Sequence, residues 1–154
     1  MKKISLSTTL LFCLCISFST TLLAQEGKTV QKPASVQLNV AHKIVFQMAT
    51  GDTLAHKQLM KQINNILSLS SGSIIEIVCH GPGLDMLMTE KSVISEKIAK
   101  YTKSGVIFNA CEFSMKDRGL EKTQMIPEAT YVPSAVIEIA IRQEQGWTYI
   151  KSGF

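Results

Sequence analysis

Aromatic residues make up only 6% of this 154-residue chain, and Lys/Arg never run longer than two. Base-stacking platforms and polybasic membrane patches therefore lack their side chains, and nucleic-acid binding is not expected. Charge is sparse at 18%, and the formal net charge of +4 falls to +2 without Lys2 and Lys3, too little to steer an acidic partner. Of four cysteines, Cys13 and Cys15 lie in an apolar N-terminal stretch, so Cys79 and Cys111 alone cannot form a disulfide scaffold. His42 and His56 have no Cys/His spacing that suggests a zinc site, and Gly81-Pro82-Gly83 fits neither phosphate-binding glycine pattern. Neither a metal nor a cofactor is expected. What the chain does have is 45% apolar residues, enough for the core of one domain.

Met1-Lys2-Lys3, an uncharged apolar stretch over 4–24 and the polar run that follows Ala24 form the three parts of a secretory signal. Cleavage after Ala24 is expected, leaving an exported, periplasmic protein of residues 25–154 with no stable membrane insertion. Residues 25–41 are polar, carry Pro33 and read as an extended leader; residues 42–154 form the folded domain.

Within that domain short apolar runs alternate with helical patterns. Strands are expected at 43–48, 74–79, 105–109, 129–132 and 147–150. Asp52 caps a helix carrying Ala55, Leu59 and Ile63; a second helix spans about 92–103; a third, capped by Ser134, bears Val136, Ile137, Ala140 and Ile141. Short helical segments follow Cys111 and lie near 120–125. This order argues for an α/β domain, a three-layer α/β/α sandwich around a largely parallel sheet of about five strands, whose order the sequence does not reveal. Sites in such sheets lie beyond the C-terminal strand ends, here 48–52, 79–83 and 109–112.

Cys111 ends one of these strands and begins a helical segment, where unpaired N–H groups and the helix dipole favour a thiolate; the competing reading is a small buried hydrophobe. Cys79 and His80 are adjacent on a strand and so point to opposite faces, which disfavours a shared metal. His80 can act on the Cys111 sulfur as base, proton donor or cationic neighbour, or simply bond backbone in a loop. Thr50-Gly51-Asp52 suits an anion site, but capping already explains Asp52. Met86, Met88 and Met115 read as core or subunit contact.

The segments His80-Gly81-Pro82-Gly83, Gly105-Val-Ile-Phe-Asn-Ala-Cys111 and Val132-Pro-Ser134 with Gln145-Gly-Trp-Thr-Tyr-Ile150 together resemble the DsrE/DsrF-like sulfur-relay family. The resemblance implies a small α/β/α domain that assembles into trimers or hexamers. It also implies a cysteine carrying sulfur as a persulfide, at the position of Cys111, with His80 matching the histidine of the strand-end segment. Where that family commonly continues with Asn-Thr, this chain reads Glu112-Phe113-Ser114-Met115. Its relay branch is cytoplasmic, whereas this chain carries an export signal.

The function expected from the resemblance is an exported sulfurtransferase-like carrier that holds sulfane sulfur on Cys111 and exchanges it with a sulfur-donor or acceptor protein. An oligomeric binding module with a strand-end pocket, and a redox protein that pairs Cys79 with Cys111, are the alternatives. A homo-oligomer is expected also because the apolar segment 84–88 would expose surface that assembly covers. Export predicts an N-terminus at Gln25; mass spectrometry of protein from the envelope fraction should find it, and a membrane-bound chain retaining Met1 would overturn the prediction.

Overall fold

The computed structural model describes residues 40–153, so the cleavage site after Ala24 and nearly all of the 25–41 leader lie outside the described residues. The chain runs β1 (Lys43–Met48), α1 (Thr53–Leu69), β2 (Ile74–Cys79), a 3₁₀ helix (Gly81–Leu87), α2 (Ser95–Lys103) and β3 (Ile107–Cys111). It continues through α3 (Glu112–Asp117), a 3₁₀ turn (Lys122–Gln124), β4 (Ala129–Val132), α4 (Ala135–Glu144) and β5 (Thr148–Ser152). The five strands form one all-parallel sheet in the order β4-β3-β2-β1-β5.

That order makes the two faces unequal. From β1 to β4 each step goes to the next strand in the same direction, so right-handed crossovers put α1, α2 and α3 on one face. The step from β4 to β5 returns across the sheet and puts α4 on the other. The cores follow: Phe46, Met48, Ile77 and Phe108 pack with Leu59 and Ile63 of α1, Ile98 of α2 and Met115 of α3. On the opposite face a small cluster of Val45, Val78, Cys111 and Val132 packs against Ala135 and Ile139 of α4.

Several boundaries differ from the sequence expectation for local reasons. The second helix begins at Ser95 because the N–H groups of Lys91 and Ser92 turn back to Met88 O. β3 begins at Ile107, since Gly105 takes φ +87° and closes α2 by donating to Thr102 O; the strand therefore reaches Cys111. Val136, Ile137 and Ile141 do not form the packed stripe of α4, which buries Ala135 and Ile139 and turns the other three outward. The 84–88 segment is not exposed either: Leu84, Met86, Leu87 and Met88 lie in the main core, whereas Val136, Ile137 and Ile141 of α4 are uncovered. Asp52 does cap α1, accepting the Leu54 N–H at 2.9 Å.

The end of β1 is locked to the strand-end turn after β2. His80 N–H donates to Met48 O at 3.0 Å, and a Cβ on Gly83 would stand 2.1 Å from that carbonyl oxygen. Gly83→Ala should therefore destabilise the fold by about 3 kcal/mol. Gly72→Ala, whose Cβ first meets Ala41 Cβ at 3.4 Å, should change little; denaturant melts of the two variants check this, and equal effects would contradict it.

Candidate functional site

Cys111 is the last residue of β3 and stands immediately before α3, but the donor that reaches its sulfur comes from elsewhere. The N–H of Ala135, the first residue of α4, points at Sγ over 3.3 Å. Ser134 occupies the N-cap position of α4 without a side-chain cap bond, and the thiol accepts the first N–H of the helix, one of the four that have no intrahelical partner. A sulfur there faces the positive end of a ten-residue helix, an arrangement that stabilises negative charge. The surrounding wall is apolar, and Cys111 is 4% exposed. Glu112, which would oppose a thiolate if it turned inward, instead reaches Lys122 across 2.7 Å.

His80 follows Cys79, whose register partner on β3 is Ala110, the residue before Cys111. Both functional candidates thus sit at the same level of neighbouring strand ends. The His80 ring lies 2.7 Å from the side-chain nitrogen of Gln47, on β1, and Gln47 accepts a hydrogen bond from the Tyr149 hydroxyl of β5. Burial holds the imidazole below its ordinary 6.5, so of the roles expected for His80 the cationic neighbour is the one its surroundings oppose. Arg118 pins the turn beyond it, donating to Gly81 O at 2.7 Å and pairing with Asp85 at 2.5 Å. Burial would raise the Asp85 pKa, but the bonds from Arg118 and Lys91 outweigh it and hold the carboxyl below its ordinary range.

Cys79 is different in kind. It is fully buried in the main core, which pushes its thiol up, and it faces away from Cys111, which belongs to the α4-side cluster. The disulfide alternative fails on this point: the two free thiols are on opposite faces of the sheet, and the alternation of side chains along β2 and β3 keeps them there. His56 is buried in α1 with Nε2 on Thr50 O at 2.8 Å, and His42 is exposed; among the described residues no cluster of three or more His, Cys, Asp or Glu is placed to hold a metal.

Beneath α4 lies a polar network that sequence reasoning missed. Glu76, fully buried in the middle of β2, accepts from Asn109 Nδ2 at 2.7 Å and pairs with Arg142 at 2.6 Å. Arg142 also pairs with Glu138 at 2.9 Å and lies over the Trp147 ring, and Thr130 donates to Asn109 Oδ1 at 2.6 Å. The available signal was an acidic residue inside the apolar run 74–79. The network ties α4 to the strand ladder, and α4 in turn carries the N–H that meets Cys111.

A family model described as the DsrE/DsrF-like family matches residues 42–152. The solved structure of a protein of unknown function, MTH1491 from Methanobacterium thermoautotrophicum, is similar: 26% identity, a TM-score of 0.68, and coverage of 71% of this chain and 98% of that one. No curated protein matches the chain.

Burial raises the Glu76 carboxyl above its ordinary 4.5, against the opposing pull of Arg142 and Asn109. The folded state therefore binds that proton more tightly than the unfolded chain, and the stability this confers is complete below the unfolded value and lost as pH rises through the folded one. Denaturant melts should show wild-type stability falling relative to Glu76→Gln as pH rises above 4.5; a difference that grows in favour of wild type would contradict it.

Proposed function

The chain belongs to the DsrE/DsrF-like family, and from that premise we propose that it is an exported sulfur carrier that holds sulfane sulfur on Cys111. The observation that carries this reading is the Ala135 N–H directed at Cys111 Sγ from the start of α4. A thiolate so stabilised attacks the outer sulfur of a donor persulfide: a Cys111 S–S bond forms, the donor S–S bond breaks, and the donor leaves as its thiolate. An acceptor thiolate then attacks the terminal sulfur and the electron pair of the broken bond returns to Cys111 Sγ. The exchange needs no external oxidant or reductant.

The surroundings suit such a carrier. The walls from Val45, Val78, Val132 and Ile139 shield the sulfur from bulk water and from adventitious oxidants. Ile139 also lines a cleft of about 270 Å³ between α4 and the β1–β5 edge, shared with Gln47, Val136, Ala140, Gln143 and Tyr149, on the same face of the sheet as Cys111. Phe113, two residues past Cys111, is 63% exposed and offers a contact for a donor or acceptor protein.

A homo-oligomer, trimer or hexamer, belongs to the same proposal. Its support is the outer surface of α4, where Val136 and Ile137 are 67% and 59% exposed and Ile141 continues the patch.

Exposure of the 25–154 protein, which lacks Cys13 and Cys15, to a sulfane-sulfur donor should add the mass of one sulfur atom to wild type and to Cys79→Ala, and none to Cys111→Ser. Loading that persists in Cys111→Ser would sink the assignment. Ile137→Glu should lower the mass seen by light scattering to that of one chain while circular dichroism is unchanged; a wild type that is already monomeric would remove the assembly from the proposal.

A further inference from the structure

We infer that Gln47 and Tyr149 set the tautomer of His80, placing its proton on Nδ1 and making the ring a hydrogen-bond donor instead of a base at this site. The hydrogens that Tyr149 and Gln47 carry fix the tautomer. Tyr149 donates its hydroxyl hydrogen to Gln47 Oε1, which turns the amide nitrogen of Gln47 toward His80 Nε2 at 2.7 Å. An amide nitrogen has only donors to offer, so Nε2 must be the acceptor, and a neutral imidazole with a bare Nε2 carries its hydrogen on Nδ1. In an imidazolium two donors would face each other across that distance. The arrangement thus opposes protonation, in the same direction as burial.

The pair is a product of the β1–β5 ladder. Tyr149 is opposite Val45 and Gln47 is opposite Lys151, so Gln47 and Tyr149 are diagonal neighbours on one face, the face covered by α4. The charged groups on the surrounding elements are mostly engaged elsewhere. Arg118 is held by Gly81 O and Asp85, Glu112 by Lys122, and Glu138 with Arg142 by the Glu76 network, while Lys151 stands exposed on the edge strand.

The consequence rests on the carrier reading of Cys111. When an acceptor thiolate removes the outer sulfur, the electron pair of the broken S–S bond stays on Cys111 Sγ. A donor fixed at the neighbouring strand end favours that departure with no proton leaving the ring. Gln47 and Tyr149 are then positioning residues, acting through His80.

Long-range ¹H–¹⁵N correlation of the full protein, with the His80 ring assigned by comparison with His80→Asn, reads the tautomer directly. Wild type should show the Nδ1–H form. Gln47→Leu should shift His80 to the Nε2–H form and slow sulfur removal from loaded Cys111 about tenfold or more, the worth of one hydrogen bond to a charged sulfur. Gln47→Glu should give an imidazolium that persists to higher pH. Tyr149→Phe, which removes only a hydroxyl from a partly exposed side chain, should mix the two neutral tautomers and stands in if Gln47→Leu fails to fold. An Nε2–H ring in wild type, or one that neither Gln47→Leu nor Tyr149→Phe alters, overturns the inference. Failure of Cys111 to load sulfur, with the Nδ1–H ring in place, overturns the carrier reading instead.

Discussion

The return of the chain across the sheet after β4 is the constraint on which the site depends. Three crossovers in one direction fill one face with helices, and the fourth must pass over the other face alone. α4 therefore has no neighbouring helix among the described residues on its side, and its first N–H arrives at the end of β3, where Cys111 stands. The same geometry leaves Val136, Ile137 and Ile141 uncovered. The thiol's electrostatic partner and the apolar surface proposed for assembly are two results of one topological step.

A lone helix packed through Ala135 and Ile139 has little apolar area with which to hold its position. The buried ion pair between Glu76 and Arg142 supplies direction where hydrophobic contact does not, because charges taken out of water must meet their partners closely or destabilise the fold. Asn109 and Thr130 extend the arrangement across β3 and β4, and Trp147 covers the guanidinium from the loop before β5. The placement of one N–H at the sulfur thus draws on four of the five strands or their ends.

Much of this was legible in the sequence, and the parts that were not share a cause. The helix over Asp52 to Leu69 was visible because capping and a 3.6-residue apolar period are local signals. Cys111 was visible because a thiol at a strand end is a local juxtaposition. Gln47 and Tyr149 carry no such signal: they are 102 residues apart, and only the pairing of β1 with β5 makes them neighbours. The outward turn of Val136 and Ile137 was not legible, because an apolar stretch on a helix declares a face without declaring what, if anything, covers it.

The sequence by itself determined the alternation of strands and helices, the α/β class, the family resemblance and the two strand-end residues, Cys111 and His80, since each follows from composition or from spacing along a few residues. Tertiary structure decided the strand order, the separation of Cys79 from Cys111 on opposite faces, the α4 N–H as the partner of the thiol, and the Tyr149–Gln47–His80 chain. Those depend on which strands become neighbours. Strand pairing is set by loop direction, crossover handedness and the burial of a whole face at once, and no short stretch of the chain contains that information.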